Sequence, residues 1–237
     1  MLVMAVTSRK GGSGKTTLAG HLAVQAERAG AGPIALVDTD PQGSLSDWWN
    51  AREAETPVFA RTIISQLPQD IERMEQLGIK LLIVDTPPAI TLTIAHVIKL
   101  ADLVVIPARP SPHDLRAAGA TIELVERMGK AMVFVINGAT PRARITSEAA
   151  IALSQHGTLA PSIIHQRTDF SASMIDGRTV MELPRRSRSA REIEALWEYL
   201  ETRLRKENTS MNDEVPSRLL PPDPAYGIRS VAGEVLT

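Results

Sequence analysis

Residues 8–17 read "SRKGGSGKTT" and follow directly on an apolar run, "LVMAVT" (2–7). Gly11, Gly12 and Gly14 let the backbone curl so that its N–H groups converge on one point, with Ser13 between them. A helix opening near Lys15 adds its N-terminal dipole. That combination suits a phosphate chain. Lys15 is placed for the β and γ phosphates, Thr16 for a magnesium ion through its hydroxyl, and Thr17 for the α phosphate. The usual pattern G-x-x-x-x-G-K-[ST] nevertheless fails, because Arg9 stands where the first glycine belongs. A second cation, Lys10, stands beside it.

A phosphate loop with a bound metal needs carboxylates. "KLLIVDTPP" ends an apolar run on Asp85, as in a Walker B element. "IALVDTDPQGS" ends another on Asp38 and Asp40. Asp38 lies nearer the run's end and suits magnesium through water. Asp40, further out, suits orientation of an attacking water. The alternative is that these aspartates cap the helices that follow.

The elements that must position these residues are legible as two periodicities. The runs 2–7, 34–38, 80–85, 103–108 and 131–137 are rich in Val, Ile and Leu and do not alternate with polar residues. Such runs are strands buried on both faces of a parallel sheet. Helical stretches lie between them at 15–29, 44–53, 67–77, 91–100, 112–128 and 146–156, and a last helix is predicted over 189–206. The expected fold is α/β, a doubly wound, mainly parallel sheet with helices on both faces. Ligands of such sheets bind at the carboxyl ends of the strands. Lys10, Asp38, Asp40, Asp85 and Pro107 all fall there.

The composition bounds the class. The chain has 237 residues, 43% hydrophobic and 22% charged, as in ordinary globular proteins. Its formal net charge of −1 gives no global attraction to nucleic acid, so any basic surface must be local. There is no cysteine, which excludes disulfides, thiolate metal sites and iron–sulfur clusters, and fits a reducing cytosol. No run approaches the ~20 apolar residues of a membrane span. "MLVMAVTSRK" has no charged segment before its apolar run, so it is expected to be a strand and not a signal peptide.

"KGGSGKTT", "VDTDPQGS" and "IVDTPP", in this order and spacing, resemble the ParA/MinD family of deviant-Walker ATPases. The resemblance spans residues 1–206, taken as one P-loop ATPase domain; 207–237 is expected to be a poorly ordered tail. It implies that Lys10 is the signature lysine, reaching across an ATP-bound homodimer to the partner's phosphates. It further implies that Asp40 serves hydrolysis and that Asp38 and Asp85 serve Mg²⁺. "VVIPARPSPHDLRAAG" and "IIHQRTDFSASMIDGRTVME" are similar to short plasmid-partition ATPases of the ParF kind. By that likeness "PARPSPHD" lies beside the nucleotide base, where Pro107, Pro110 and Pro112 stiffen the wall, and Asn137 hydrogen-bonds adenine. The alternative for the prolines is loop punctuation. Because the phosphate loop's strand starts almost at residue 1, no N-terminal operator-binding extension is expected.

"PRRSRSAR" (184–191) carries Arg185, Arg186, Arg188 and Arg191 without an acid, and Arg167 and Arg178 precede it. This is the best local candidate for contact with a phosphate backbone, independent of sequence and sensitive to salt. The family resemblance points the same way, to nonspecific DNA bound by the ATP dimer. The alternative is a solvated face paired with Glu192 and Glu194. The expected function is a DNA partition ATPase, cytoplasmic and nucleoid-associated, stimulated by a ParB-like centromere-binding protein. Its rivals are a ParA-like ATPase carrying another cargo (a protein assembly or conjugative DNA), a MinD-like membrane ATPase and a non-hydrolytic DNA scaffold. The end of the chain, "PPDPAYGIRSVAGEVLT", has prolines and too few cations for an amphipathic membrane helix, so no stable membrane association is expected.

Overall fold

The five apolar runs form the five long strands: β1 (Leu2–Val6), β2 (Ile34–Asp38), β4 (Leu81–Asp85), β5 (Leu103–Ala108) and β6 (Met132–Ala139). The structure is a computed structural model that describes residues 1–88 and 92–213. Three strands of two residues each escape any periodicity: β3 (Val58–Phe59), β7 (Thr158–Leu159) and β8 (Ile164–His165). The sheet order is β3-β2-β4-β1-β5-β6-β7, with β8 pairing the far end of β6, and every pairing is parallel.

Parallel neighbours need crossovers, and the helices supply them: α1 (Lys15–Arg28), α2 (Ser44–Asn50), α3 (Leu67–Gln76), α4 (Leu92–Leu100), α5 (Pro112–Arg127) and α6 (Arg144–Ser154). Two more follow, α7 (Thr168–Met174) and α8 (Arg188–Asp213). Successive strand residues point to opposite faces, so one sheet feeds two cores. Met4 and Val6 join Leu18, Leu22, Trp48, Phe170, Leu196 and Trp197 on one face, under α1, α2, α7 and α8. Val3 and Ala5 join Met74, Val97, Ile122 and Leu153 on the other, under α3 to α6. Both faces are covered, which is why the strands read as continuous apolar runs.

The helix expected over 189–206 runs to Asp213, because "ENTSMND" contains neither Pro nor Gly and the first breaker is Pro216. The expected domain boundary at 206 therefore falls inside a helix, and 214–237 lies outside the described residues. No helix among the described residues is long and apolar enough to cross a membrane.

The sheet order places β1 between β4 and β5. Crossovers toward β2 run over one face and crossovers toward β5 and β6 over the other. The carboxyl end of β1 is thus the point where the winding reverses, and a crevice opens there. The glycine-rich loop leaves the sheet at this point.

Candidate functional site

The loop 8–14 is shaped by two glycines in the left-handed region. Gly12 has φ +75° and Gly14, the N-cap of α1, has φ +93°. Gly14 has a second reason to lack a side chain: a Cβ there would lie 2.1 Å from Nδ2 of Asn137. That Nδ2 donates to the Ser13 carbonyl at 2.6 Å, tying the loop to the end of β6. The amide expected to read adenine thus has its donor committed to the loop itself, although Asn137 also lines a cavity beside Gly14 and Thr17.

Lys15 is buried under the loop and its Nζ lies 3.5 Å from the Lys10 carbonyl. Burial lowers its pKa, and the charges of Asp85 and Asp40 oppose that. Asp85 is fully buried, and its Oδ2 accepts from the Thr16 hydroxyl at 2.6 Å. Burial pushes the Asp85 carboxyl up to about 7; Asp38 adds to the rise, while Thr16 and Lys15 oppose it. Asp38 and Asp85 are register partners on β2 and β4, so they occupy the same rung. Among the described residues no group of three or more His, Cys, Asp or Glu could hold an ion without further ligands. The donor set present, one hydroxyl and two carboxylates below a phosphate loop, fits magnesium, which takes few protein ligands and completes its shell with phosphates and water. A buried carboxylate also gains from a cation beside it.

Asp38 and Asp40 organise the loop after β2. Asp38 Oδ2 accepts from the N–H groups of Leu45 and Ser46, each at 3.0 Å, in the first turn of α2. Its Oδ1 accepts from Asp40 N at 2.9 Å, and Asp40 Oδ1 accepts from Gln42 N at 3.0 Å. The capping alternative therefore describes Asp38 as it stands, whereas the Asp40 carboxylate closes a turn ahead of α2 and Asp40 is left half-exposed on a cavity of about 570 Å³. Gly11, Lys15, Thr16 and Thr17 line this cavity on one side, Asp47 and Trp48 of α2 on another.

Lys10 is drawn away from that cavity. Its Nζ donates to Asp114 Oδ2 at 2.8 Å, and the Ser111 hydroxyl shares the same oxygen. Burial works against the ionised Asp114, but the bonds from Lys10 and Ser111 outweigh it and hold the carboxyl below its usual value. Sequence reasoning does not single out Asp114, although a serine three residues ahead of an acid, S-x-x-D, is a helix-start pattern. Ser111 does cap α5, accepting from Asp114 N at 3.1 Å.

Pro107 is buried within β5, opposite Val135 of β6, where the strand runs three residues past its last pairing with β1 at Val105. The residue of that segment that lines the cavity beside Gly14 is Arg109. Pro112 is the first residue of α5, where a missing N–H costs nothing.

The arginines divide into two groups. Arg167 donates to Glu192 Oε1 at 2.6 Å, beside His165, and lines the same cavity as Arg109. Arg167, expected in the DNA patch, thus stands on the wall beside the loop with its guanidinium engaged by Glu192. Arg186 is paired with Glu194, as the alternative anticipated. Arg185, Arg188 and Arg191 are exposed and have no ion pair among the described residues.

Known proteins share the family and the fold. A family model described as the CobQ/CobB/MinD/ParA nucleotide binding domain matches residues 4–180. The chain is 30% identical over 196 residues to the "Maintenance of carboxysome distribution protein A" of Halothiobacillus neapolitanus, covering 79% of this chain and 90% of that one. It is 28% identical over 184 residues to "Protein ParA" of Rhizobium radiobacter, covering 73% and 82%. The fold matches the Aquifex aeolicus MinC:MinD cell division complex with a TM-score of 0.72 at 18% identity, covering 85% of this chain and 96% of that one. It also matches a plasmid partition protein of Borrelia burgdorferi bound to AMPPNP, with a TM-score of 0.66 at 16% identity, covering 85% and 99%.

Proposed function

The chain belongs to the CobQ/CobB/MinD/ParA family of nucleotide-binding domains, and on that premise we propose that it is an ATPase that partitions a cargo along DNA by dimerising on ATP. The observation that carries this reading is the Thr16–Asp85 contact beneath a loop with two lysines. It brings together a hydroxyl and a carboxylate of the kind that a magnesium nucleotide requires.

Backbone N–H groups of residues 11–14 and the ammonium of Lys15 hold the β and γ phosphates. Thr16, Asp85 and Asp38 hold magnesium, which neutralises phosphate charge when bound. Asp40, on the open side of the cavity, orients the water that attacks the γ phosphorus. Lys10 leaves Asp114 and reaches the phosphates of a second subunit, so dimerisation reports on ATP. Arg185, Arg188 and Arg191, exposed and outside any ion pair among the described residues, then bind duplex DNA through its backbone, and the protein is nucleoid-associated. A ParB-like partner on the cargo stimulates hydrolysis, which ends the cycle.

The cargo is DNA in the first reading, supported by the ParA and plasmid-partition relatives. A second reading, a protein assembly as cargo, is favoured by the carboxysome distribution for which the 30%-identical relative is named. Both readings need the same switch, which duplex-DNA binding measured with ATP, with ADP and without nucleotide tests. Binding with ATP alone is expected; equal binding in all three conditions overturns the reading. Pull-down of proteins against plasmid DNA from cells separates the two cargoes.

A further inference from the structure

The cavity at the phosphate loop and the exposed arginines lie in different parts of the chain, and buried contacts join them: Val180 N donates to His21 of α1, Met174 and Ile175 line the cavity itself, and the tie with the most hydrogen bonds leaves the end of α2. α2 begins at the cavity, where Asp38 takes its first N–H groups. Just beyond its end stands Arg52, whose side chain is only 2% exposed. The Arg52 guanidinium lies 4.9 Å from the centre of the Trp48 ring and makes four hydrogen bonds. Two form a fork on Glu182, from Nη2 to Oε1 at 2.8 Å and from Nη1 to Oε2 at 3.1 Å. The others go to the carbonyls of Gly177 at 2.6 Å and Thr56 at 2.8 Å.

The partner segment is equally committed. Glu182 Oε2 also accepts from the N–H and hydroxyl of Thr179, at 2.7 and 2.8 Å. Trp48 Nε1 donates to the Arg178 carbonyl at 3.1 Å. At Gly177, with φ +76°, a Cβ would lie 2.3 Å from the backbone nitrogen of Arg52. Backbone is pressed on backbone there, and a bidentate ion pair fixes orientation as well as distance. A displacement of α2 therefore carries residues 177–182 with it. Three residues after Glu182 the chain reaches Arg185.

We infer that the Arg52–Glu182 fork is the link through which occupancy of the phosphate site sets the placement of the arginine stretch 185–191. Arg52 and Glu182 are positioning residues in this role: neither lines the cavity that holds Lys15 and Thr16. The inference rests on the proposed ATP switch for what moves α2, but not on what the arginines bind.

Hydrogen exchange of the full chain with magnesium and either AMPPNP or ADP tests it, on wild type and on Glu182→Gln, with thermal melting alongside. The wild-type peptide over 183–191 is expected to change its exchange rate at least about twofold between the two nucleotides. Glu182→Gln is expected to lose that difference while its 11–17 peptide stays protected by either nucleotide. Arg52→Lys keeps the cation without the fork, and is read the same way should Glu182→Gln fail to fold. A merely structural tie lowers the melting temperature of the variants but leaves the response intact, and that result overturns the inference. So does an unresponsive 183–191 in wild type. A responsive peptide in a protein that ignores DNA removes the DNA reading and leaves the link standing.

Discussion

Lys10 and Lys15 are five residues apart and have different partners. Lys15 is enclosed under the loop, whereas Lys10 is half out of it, held by Asp114 at 2.8 Å. The reach of Lys10 to a second subunit must compete with that pair. A partly exposed ion pair contributes ~0.2–1 kcal/mol, so removing the competitor shifts an equilibrium only a few-fold. Asp114→Asn is expected to lower the ATP concentration needed for dimerisation by that factor, read by light scattering across an ATP titration. A rise instead means that Asp114 aims Lys10 rather than restrains it. Asp85 makes a separate prediction. The unfolded chain gives up this proton near 3.8 and the folded chain near 7, so the apo protein loses stability as pH rises between those values. Asp85→Asn removes the buried charge. Its melting temperature is expected to exceed wild type by more at pH 8 than at pH 5, while magnesium-dependent hydrolysis falls at least about tenfold.

At the scale of elements, the loop, its strand and its helix were legible because they are contiguous. "SRKGGSGKTT" carries its glycines, its lysines and its hydroxyls in one short stretch, and local sterics dictate the curl. Asp38 and Asp85 were legible because each ends an apolar run. Asp114 and the Arg52–Glu182 fork were not, because their partners are 104 and 130 residues away and only the crossovers bring them together. β7 and β8 escape for a related reason: two residues carry no period, and β6 alone makes them strands. Long-range contact also explains His21 in α1. Its Nδ1 donates to the Thr17 carbonyl at 2.8 Å, and its Nε2 accepts from Val180 N at 3.3 Å, which requires the neutral ring. Burial lowers its pKa from 6.5 to about 4. The unfolded chain takes the proton first as pH falls, so this stability is present above about 6.5 and is lost toward 4. His21→Gln cannot protonate, and its melting temperature is expected to fall less than that of wild type between pH 6.5 and 4.

At the scale of the molecule, one end of the sheet gathers the phosphate loop and the carboxylates, and both α1 and the end of α2 are tied to the segment that leads to the arginine stretch. A near-neutral protein binds DNA only where its cations are free. Arg185, Arg188 and Arg191 are exposed and without ion pairs among the described residues, while Arg167 and Arg186 are engaged with Glu192 and Glu194. Alanine at the first three is expected to weaken DNA binding for all sequences alike. It is also expected to flatten the logarithmic salt dependence by about 0.9 for each phosphate no longer neutralised. Alanine at Arg167 is expected to leave that slope unchanged and to alter nucleotide affinity instead. If two subunits read one nucleotide through Lys10, the mass of the protein in solution follows the nucleotide. With magnesium and AMPPNP, wild type is expected at twice its 25.7 kDa chain mass, and with ADP at 25.7 kDa. Lys10→Ala is expected at 25.7 kDa with either nucleotide. A Lys10→Ala protein that binds AMPPNP and doubles its mass as wild type does would contradict the account.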